Sequence, residues 1–126
     1  MQVALIDTVV LYGALNKEDP HHEQALPIFR KMDSGEIPVG VVLDFVYAET
    51  FNALTSSLGH EDCLEAAEIL ERSGGFEVQR TSRDVWMKGK KVYGSNSHLS
   101  FVDSVLVAHA EVNNLEYIYS FDSGFD

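Results

Sequence analysis

The chain has 126 residues, 45% of them hydrophobic, and a formal net charge of −11. This size predicts one domain, residues 1–126, whose core is large enough to fold without disulfide or metal staples. The single cysteine, Cys63, excludes an intramolecular disulfide and a multi-cysteine zinc site, and it favours a reducing, cytoplasmic setting. We expect neither a membrane span nor a signal segment, because no apolar run is long enough.

The net negative charge has two interpretations, and the sequence leaves both open. The negative charge belongs either to a metal site on an ordinary solvated surface, or to the salt-adapted surface of a protein from a halophilic archaeon. In either case it argues against unaided nucleic-acid binding, since contacts to phosphate need Lys or Arg.

Apolar, strand-like segments alternate with amphipathic segments along the chain. Strands are expected at residues 2–6, 38–42, 76–78 and 117–120. Helices are expected from Thr8, after Asp19-Pro20, from Asp44, over 61–72, after Ser82 and after Ser100. This alternation predicts an α/β fold, a three-layer sandwich whose mostly parallel sheet of four or five strands is flanked by helices.

Several local features of these helices are assigned to particular residues. Thr8 is expected to cap the first helix, which leaves Asp7 for another role, and Asp44 is expected to cap the third. Gly35 should end the second helix. The helix at 61–72 should turn Cys63, Ala67 and Leu70 inward, and residues 94–98 should form a loop.

Four acids lie in or directly after apolar segments that are far apart in the chain: Asp7, Glu49, Asp103 and Asp122. Each has an ordinary explanation, as a helix cap, an exposed helical acid, an anion in a first turn and a turn residue. A carboxylate in apolar surroundings is nevertheless costly unless it is paired or binds a cation. Sites in parallel sheets form beyond the carboxyl ends of strands, which places Asp7 and Asp122 at this edge. If the fold brings all four acids together, they form a cage for Mg²⁺ or Mn²⁺.

The segments that carry these acids resemble the motifs of PIN-domain ribonucleases, and most closely those of VapC-type toxins from toxin–antitoxin pairs. The matching segments are Leu5-Ile6-Asp7-Thr8, Tyr47-Ala48-Glu49-Thr50, Phe101-Val102-Asp103-Ser104-Val105-Leu106 and Ser120-Phe121-Asp122-Ser123-Gly124-Phe125. The resemblance covers nearly the whole chain in order and spacing.

The resemblance implies an endoribonuclease that depends on Mg²⁺ or Mn²⁺. By this carry-over the catalytic residues are Asp7, Glu49, Asp103 and Asp122, of which the three aspartates hold the metal. Thr8 and Ser120 would support the site and contact the substrate. The family also implies a homodimer, and inhibition by a small antitoxin protein that inserts a segment into the acidic groove.

Five of the nine basic residues fall in one short stretch: Arg80, Arg83, Lys88, Lys90 and Lys91. Such a run is commonly a solvated helix face. It is equally a candidate strip for gripping RNA phosphates through Lys88, Lys90 and Lys91, with Trp86 and Tyr93 available to stack bases.

Other functions remain to be weighed against a nuclease. An aspartyl-phosphate phosphatase needs a second acid where Val9 stands and a later lysine, yet no lysine follows Lys91. The five histidines show no zinc-binding spacing. Two alternatives stay open: a non-catalytic dimerisation or regulatory module, and an RNA-processing nuclease unrelated to a toxin system.

Overall fold

Four parallel strands form the centre of the fold. In the computed structural model, which describes residues 3–115 and the backbone of residues 118 and 119, the strands are β1 (Val3–Ile6), β2 (Val39–Leu43), β3 (Phe76–Gln79) and β4 (Ile118–Tyr119). Their spatial order is β3-β2-β1-β4, and each neighbouring pair is parallel. The predicted mostly parallel sheet of four or five strands is confirmed, with four strands in the part of the chain that the structure describes.

Six helices connect the strands within the described ranges. They are α1 (Thr8–Leu15), α2 (His22–Ser34), α3 (Asp44–Leu58), α4 (His60–Arg72), α5 (Arg83–Ser95) and α6 (Phe101–Val112). The predicted α/β class is therefore confirmed. None of these helices is both long and apolar enough to cross a membrane.

The core lies on the two inner strands. Leu5 and Ile6 of β1 and Val41 and Val42 of β2 are fully buried. A parallel strand that is covered on both faces reads as a continuous apolar run, which is why these segments show no polar alternation. Each such side chain contributes about 1.5–3 kcal/mol when it leaves water.

The strand register places several chain segments at one edge of the sheet, which we call the carboxyl edge. Val3 pairs with Val39 and Leu5 with Val41, so Asp7 and Asp44 follow neighbouring strands at this edge. Helix α6 comes directly before β4 in the order of elements. Its 12 residues give it a length of about 18 Å, at 1.5 Å per residue. Because α6 must return to the amino end of β4, its first turn lies at the carboxyl edge.

Some predicted boundaries were wrong. Helix α2 begins at His22 with His21 as its N-cap, so Asp19 and Pro20, expected as the cap and the first turn, lie before the helix. The Asp19 carboxylate accepts the His21 N–H at 3.0 Å and holds a turn there. Helix α5 continues to Ser95, so the predicted 94–98 loop is shorter. The predicted end of α2 at Gly35 is confirmed, with a left-handed φ of 83° that favours glycine.

One detail of helix packing differs from the prediction, and a second was not predicted. In α4 the alanine that is buried together with Cys63 and Leu70 is Ala66, whereas Ala67 is only half-buried. Between α5 and α6, Gly89 allows close packing: a Cβ at this position would lie 3.1 Å from Cγ2 of Val105. Gly89 thus lets the two helix backbones approach directly.

Candidate active site

Asp7 lies at the junction of β1 and α1 and is 3% exposed. Its Oδ1 accepts a hydrogen bond from the Val9 N–H at 2.8 Å, so Asp7, and not Thr8, is the N-cap of α1. The predicted cap at Thr8 was wrong, because helical geometry already begins at that residue. A carboxylate has about four acceptor positions, so one capping hydrogen bond is compatible with a metal ligand.

Glu49 lies beside the start of α1. A groove with a cavity volume of about 240 Å³ separates α1 from α3. Its lining residues are Thr8, Val9, Tyr12, Asp19, Glu49 and Ala53. The structure therefore places the exposed Glu49 on the same groove as Thr8, the residue that directly follows Asp7, although 41 positions separate them in the chain.

Tyr12 connects the two helices that form this groove. Its hydroxyl lies 2.7 Å from the Ser57 hydroxyl on α3 and accepts a hydrogen bond from the Asn16 side-chain amide at 3.0 Å. The sequence prediction missed Tyr12. The available signal was its position four residues after Thr8, which puts both side chains on one face of α1.

Two threonine hydroxyls near the predicted acids are buried and have no hydrogen-bond partner among the described residues. They are Thr8 Oγ1 and Thr50 Oγ1. A buried hydroxyl without a partner is costly, and it is retained most readily where a ligand or water completes its bonding. Thr8, which lines the groove, therefore has a polar group for an incoming oxygen.

Asp103 is in the first turn of α6. The Ser100 hydroxyl caps this helix by accepting the Asp103 N–H at 3.1 Å, as predicted. The start of α6 also contacts the start of α3, since the ring centroids of Phe101 and Phe45 lie 6.3 Å apart. Phe45 is one helical turn before Glu49, so the segments that carry Glu49 and Asp103 meet at the carboxyl edge.

Asp44 also belongs to this edge, and its role differs from the prediction. The N-cap of α3 is Leu43, whereas Asp44 is the first helical residue. The Asp44 carboxylate accepts the Thr81 hydroxyl at 2.6 Å, the Thr81 N–H at 3.1 Å and the Phe45 N–H at 2.9 Å. Arg80 lies 3.9 Å away. Asp44 therefore ties the end of β2 to the segment that leads into α5.

The environment of Asp44 shifts its acidity. Burial acts to raise its pKa, but the hydrogen bonds from Thr81 and Phe45, together with the Arg80 guanidinium, outweigh this effect. The pKa of Asp44 is therefore held below its ordinary value, and the carboxylate stays charged.

The predicted basic strip lies on α5, and its lysines differ in their surroundings. Lys88 Nζ forms an ion pair with Glu111 of α6 at 2.9 Å. Lys90 and Lys91 are exposed and form no ion pair within the described part of the chain. Lys88 thus forms an ion pair between α5 and α6, whereas Lys90 and Lys91 remain available to a ligand.

Trp86 is 39% exposed and packs against two aromatic rings. It stacks on Phe45 with a centroid distance of 5.7 Å and meets Phe101 edge-on at 5.2 Å. Tyr93, one side of which faces solvent, meets Phe101 at 5.5 Å. This aromatic group therefore joins α5 to the first turns of α3 and α6.

Two predicted site residues, Ser120 and Asp122, lie outside the described residues. In the ranges 3–115 and 118–119, no group of three His, Cys, Asp or Glu side chains is placed to hold a metal ion. The donors that are described fit a hard divalent cation, because Asp7 offers a buried carboxylate beside the unpartnered hydroxyl of Thr8.

Comparisons with known proteins agree with this fold. The sequence model of the PIN domain matches residues 4–126. No curated protein sequence matches the chain. Among solved structures, VapC20 of Mycobacterium tuberculosis is similar, and it is described as a sarcin-ricin loop cleaving toxin. The two structures superpose with a TM-score of 0.82 at 22% identity, over 98% of this chain and 92% of VapC20.

Two further solved structures are similar. VapBC2 from Rickettsia felis, bound to a DNA fragment from its promoter, has a TM-score of 0.72 at 14% identity, covering 98% of this chain and 91% of the other. A toxin–antitoxin complex from Klebsiella pneumoniae has a TM-score of 0.68 at 19% identity, covering 97% and 89%. Since the family model spans nearly the whole sequence and these folds agree, the chain belongs to the PIN domain family.

Proposed function

We propose that this protein is an endoribonuclease that depends on Mg²⁺ or Mn²⁺ and hydrolyses RNA phosphodiester bonds as the toxin of a toxin–antitoxin pair. The observation that supports the proposal is the groove that Glu49 and Thr8 both line, directly after the buried Asp7, at the carboxyl edge of a PIN-domain sheet. Ligands bind at this edge in parallel α/β folds.

Each predicted site residue has its own role in the proposed hydrolysis. Asp7, Asp103 and Asp122 would hold the metal, which when bound neutralises charge on the scissile phosphate and makes a bound water more acidic. Glu49 orients the attacking water by accepting its hydrogen bond. The hydroxyls of Thr8 and Ser120 donate to phosphate oxygens of the substrate.

Substrate binding needs positive charge that most of this acidic chain lacks. Lys90 and Lys91 carry it on an exposed helix face, and Lys88 adds to the field while it pairs with Glu111. Phosphate contacts of this kind provide affinity without sequence preference.

The proposed partners are an antitoxin and a second copy of the chain, in the cytoplasm where RNA is available. Support for the antitoxin comes from the similar folds that were solved as toxin–antitoxin complexes. The mass in solution tests the dimer: light scattering should give twice the chain mass of 14.0 kDa. A monomer at micromolar concentration would contradict it.

The decisive experiment pairs activity with stability in two variants of Asp7. Asp7→Asn keeps a good N-cap, so we expect unchanged melting but at least about 100-fold slower RNA cleavage. Asp7→Ala loses the cap as well, so its free energy of unfolding should fall by about 1 kcal/mol. If wild-type protein cleaves no RNA with either metal, the protein is a non-catalytic module and the proposal fails.

A further inference from the structure

One face of α5 alternates cations with aromatic rings. Arg83, Trp86, Lys90 and Tyr93 are spaced three, four and three residues apart, which places them along one side of the helix. All four are exposed, and we call them the α5 face. Arg83 and Lys90 form no ion pair within the part of the chain that the structure describes.

The charge of α5 is opposite to that of the rest of the chain. The helix has four cations and one acid, hence a net charge of +3, whereas the whole chain has −11. The acid, Asp84, is in the first turn, where it complements the helix dipole. A polyanion is therefore attracted to α5 and repelled by most of the remaining surface.

The aromatic members of the α5 face are held close to the proposed active site. Trp86 and Tyr93 both contact the ring of Phe101, at centroid distances of 5.2 and 5.5 Å. Phe101 is two residues before Asp103 in the first turn of α6. Phe45 also packs against the indole of Trp86 from the start of α3, so the exposed indole is held beside the carboxyl edge.

We infer that the α5 face holds a single-stranded segment of RNA, with Arg83 and Lys90 on phosphates and an unpaired base stacked on Trp86 or Tyr93. This inference rests on the proposed nuclease function and adds to it a binding surface on α5 for an unpaired base and its flanking phosphates, outside the acidic site. Base–aromatic stacking requires a free base face, which a continuous duplex does not present.

A second copy of the chain is a poorer occupant of this face. In a two-fold symmetric interface the same surface meets itself, so Arg83 and Lys90 would face the cations of the other copy. Like charges placed opposite each other disfavour association, whereas RNA phosphates complement them.

The single tryptophan makes the inference directly measurable, because all indole fluorescence comes from Trp86. Without metal, a short unstructured RNA should quench this emission, and the same sequence as a duplex should quench it far less at equal concentration. Quenching that is equal for both forms would overturn the inference.

Variants of the aromatic and cationic positions provide the second measurement, by anisotropy of labelled single-stranded RNA. We expect Trp86→Ala to bind about 5- to 150-fold more weakly, and Trp86→Phe, which keeps a ring and the packing, to bind nearly as well as wild type. Lys90→Gln should lower the slope of log affinity against log salt by about 0.7, whereas Lys31→Gln on the exposed part of α2 should leave it unchanged.

The possible outcomes separate this inference from the proposed function. If wild-type protein cleaves RNA, and Trp86→Ala and Lys90→Gln bind and cleave it equally well, the α5 face is not the RNA site although the nuclease stands. If no cleavage occurs with Mg²⁺ or Mn²⁺, the nuclease itself fails. If Trp86→Ala halves the mass of RNA-free protein and RNA causes no quenching, the face is an interface between copies, and the inference is overturned.

Discussion

Asp44 and Thr81 join the ends of two neighbouring strands. The Thr81 hydroxyl donates to one carboxylate oxygen of Asp44 at 2.6 Å, and the Thr81 N–H donates to the other at 3.1 Å. Asp44 opens the helix that carries Glu49, and Thr81 directly precedes the cap of the helix that carries Trp86. This pair therefore sets the positions of two helices around the proposed active site.

Removing the Thr81 hydroxyl should destabilise the fold. Thr81→Val keeps the shape but removes the donor to a charged acceptor, so we expect the free energy of unfolding to fall by about 1–2 kcal/mol in urea titrations followed by circular dichroism. Thr55→Val is the matched control, since the exposed Thr55 hydroxyl donates only within its own helix. Equal losses for both variants would show that the link to Asp44 contributes no stability.

The same link should depend on pH. The pKa of Asp44 is lower in the folded protein than in the unfolded chain. Its stabilisation is therefore fully present above the unfolded value of about 3.9 and is lost as pH falls through the folded value. The stability difference between wild type and Thr81→Val should be constant from pH 7 to 5 and shrink toward pH 3. A difference that stays constant to pH 3 would contradict this.

We expect His109 to cause a second pH dependence of stability, in a higher pH range than that of Asp44. It is buried in α6, its Nδ1 has no partner among the described residues, and burial lowers its pKa. The unfolded chain therefore binds a proton more readily, so stability is complete above about pH 6.5 and falls as pH drops below it. His109→Leu should therefore make the melting temperature depend less on pH between pH 7 and 5.5, and a pH dependence equal to that of wild type would contradict this.

The cap of α6 offers a test of how firmly Asp103 is held. Ser100→Ala removes the acceptor for the Asp103 N–H, so we expect a loss of about 1 kcal/mol in stability together with slower RNA cleavage. Ser100→Asn keeps a good capping group and should retain both. If Ser100→Ala loses stability but cleaves RNA at the wild-type rate, the first turn of α6 does not need its cap to position Asp103.

Metal binding should be visible without any activity assay. A ligand that binds only the folded state adds about 2.7 kcal/mol of stability at 100 times its dissociation constant. Mn²⁺ should therefore raise the melting temperature of wild type, and Asp103→Asn should abolish most of the increase. An increase of the same size in both proteins would mean that the metal binds elsewhere.

The overall fold was largely predictable from sequence because its signals are local. The apolar runs of β1 and β2, the Ser82 and Ser100 caps and the terminating Gly35 each act within a few residues. Local signals also misled at the first helix: Thr8 and Asp7 are both good caps, and only the backbone geometry selects Asp7.

The candidate site was less predictable because its contacts are distant in sequence. Nothing near Glu49 shows that it shares a groove with Thr8. Its apolar neighbours made it one of four candidate acids, but its assignment to the site depended on the family resemblance. The bond from Thr81 to Asp44 spans 37 residues, and the pairing of Lys88 with Glu111 depends on how α5 packs on α6. These features arise from tertiary packing, which a single sequence does not encode locally.

The close contact at Gly89 has a consequence for where RNA would be cut. Because α5 packs directly on α6 at Val105, the α5 face and the first turn of α6 belong to one packed unit. If RNA lies along the α5 face as inferred, this packing sets the distance between the stacked base and the cleaved bond. We then expect the cut to fall a fixed number of nucleotides from the stacked base.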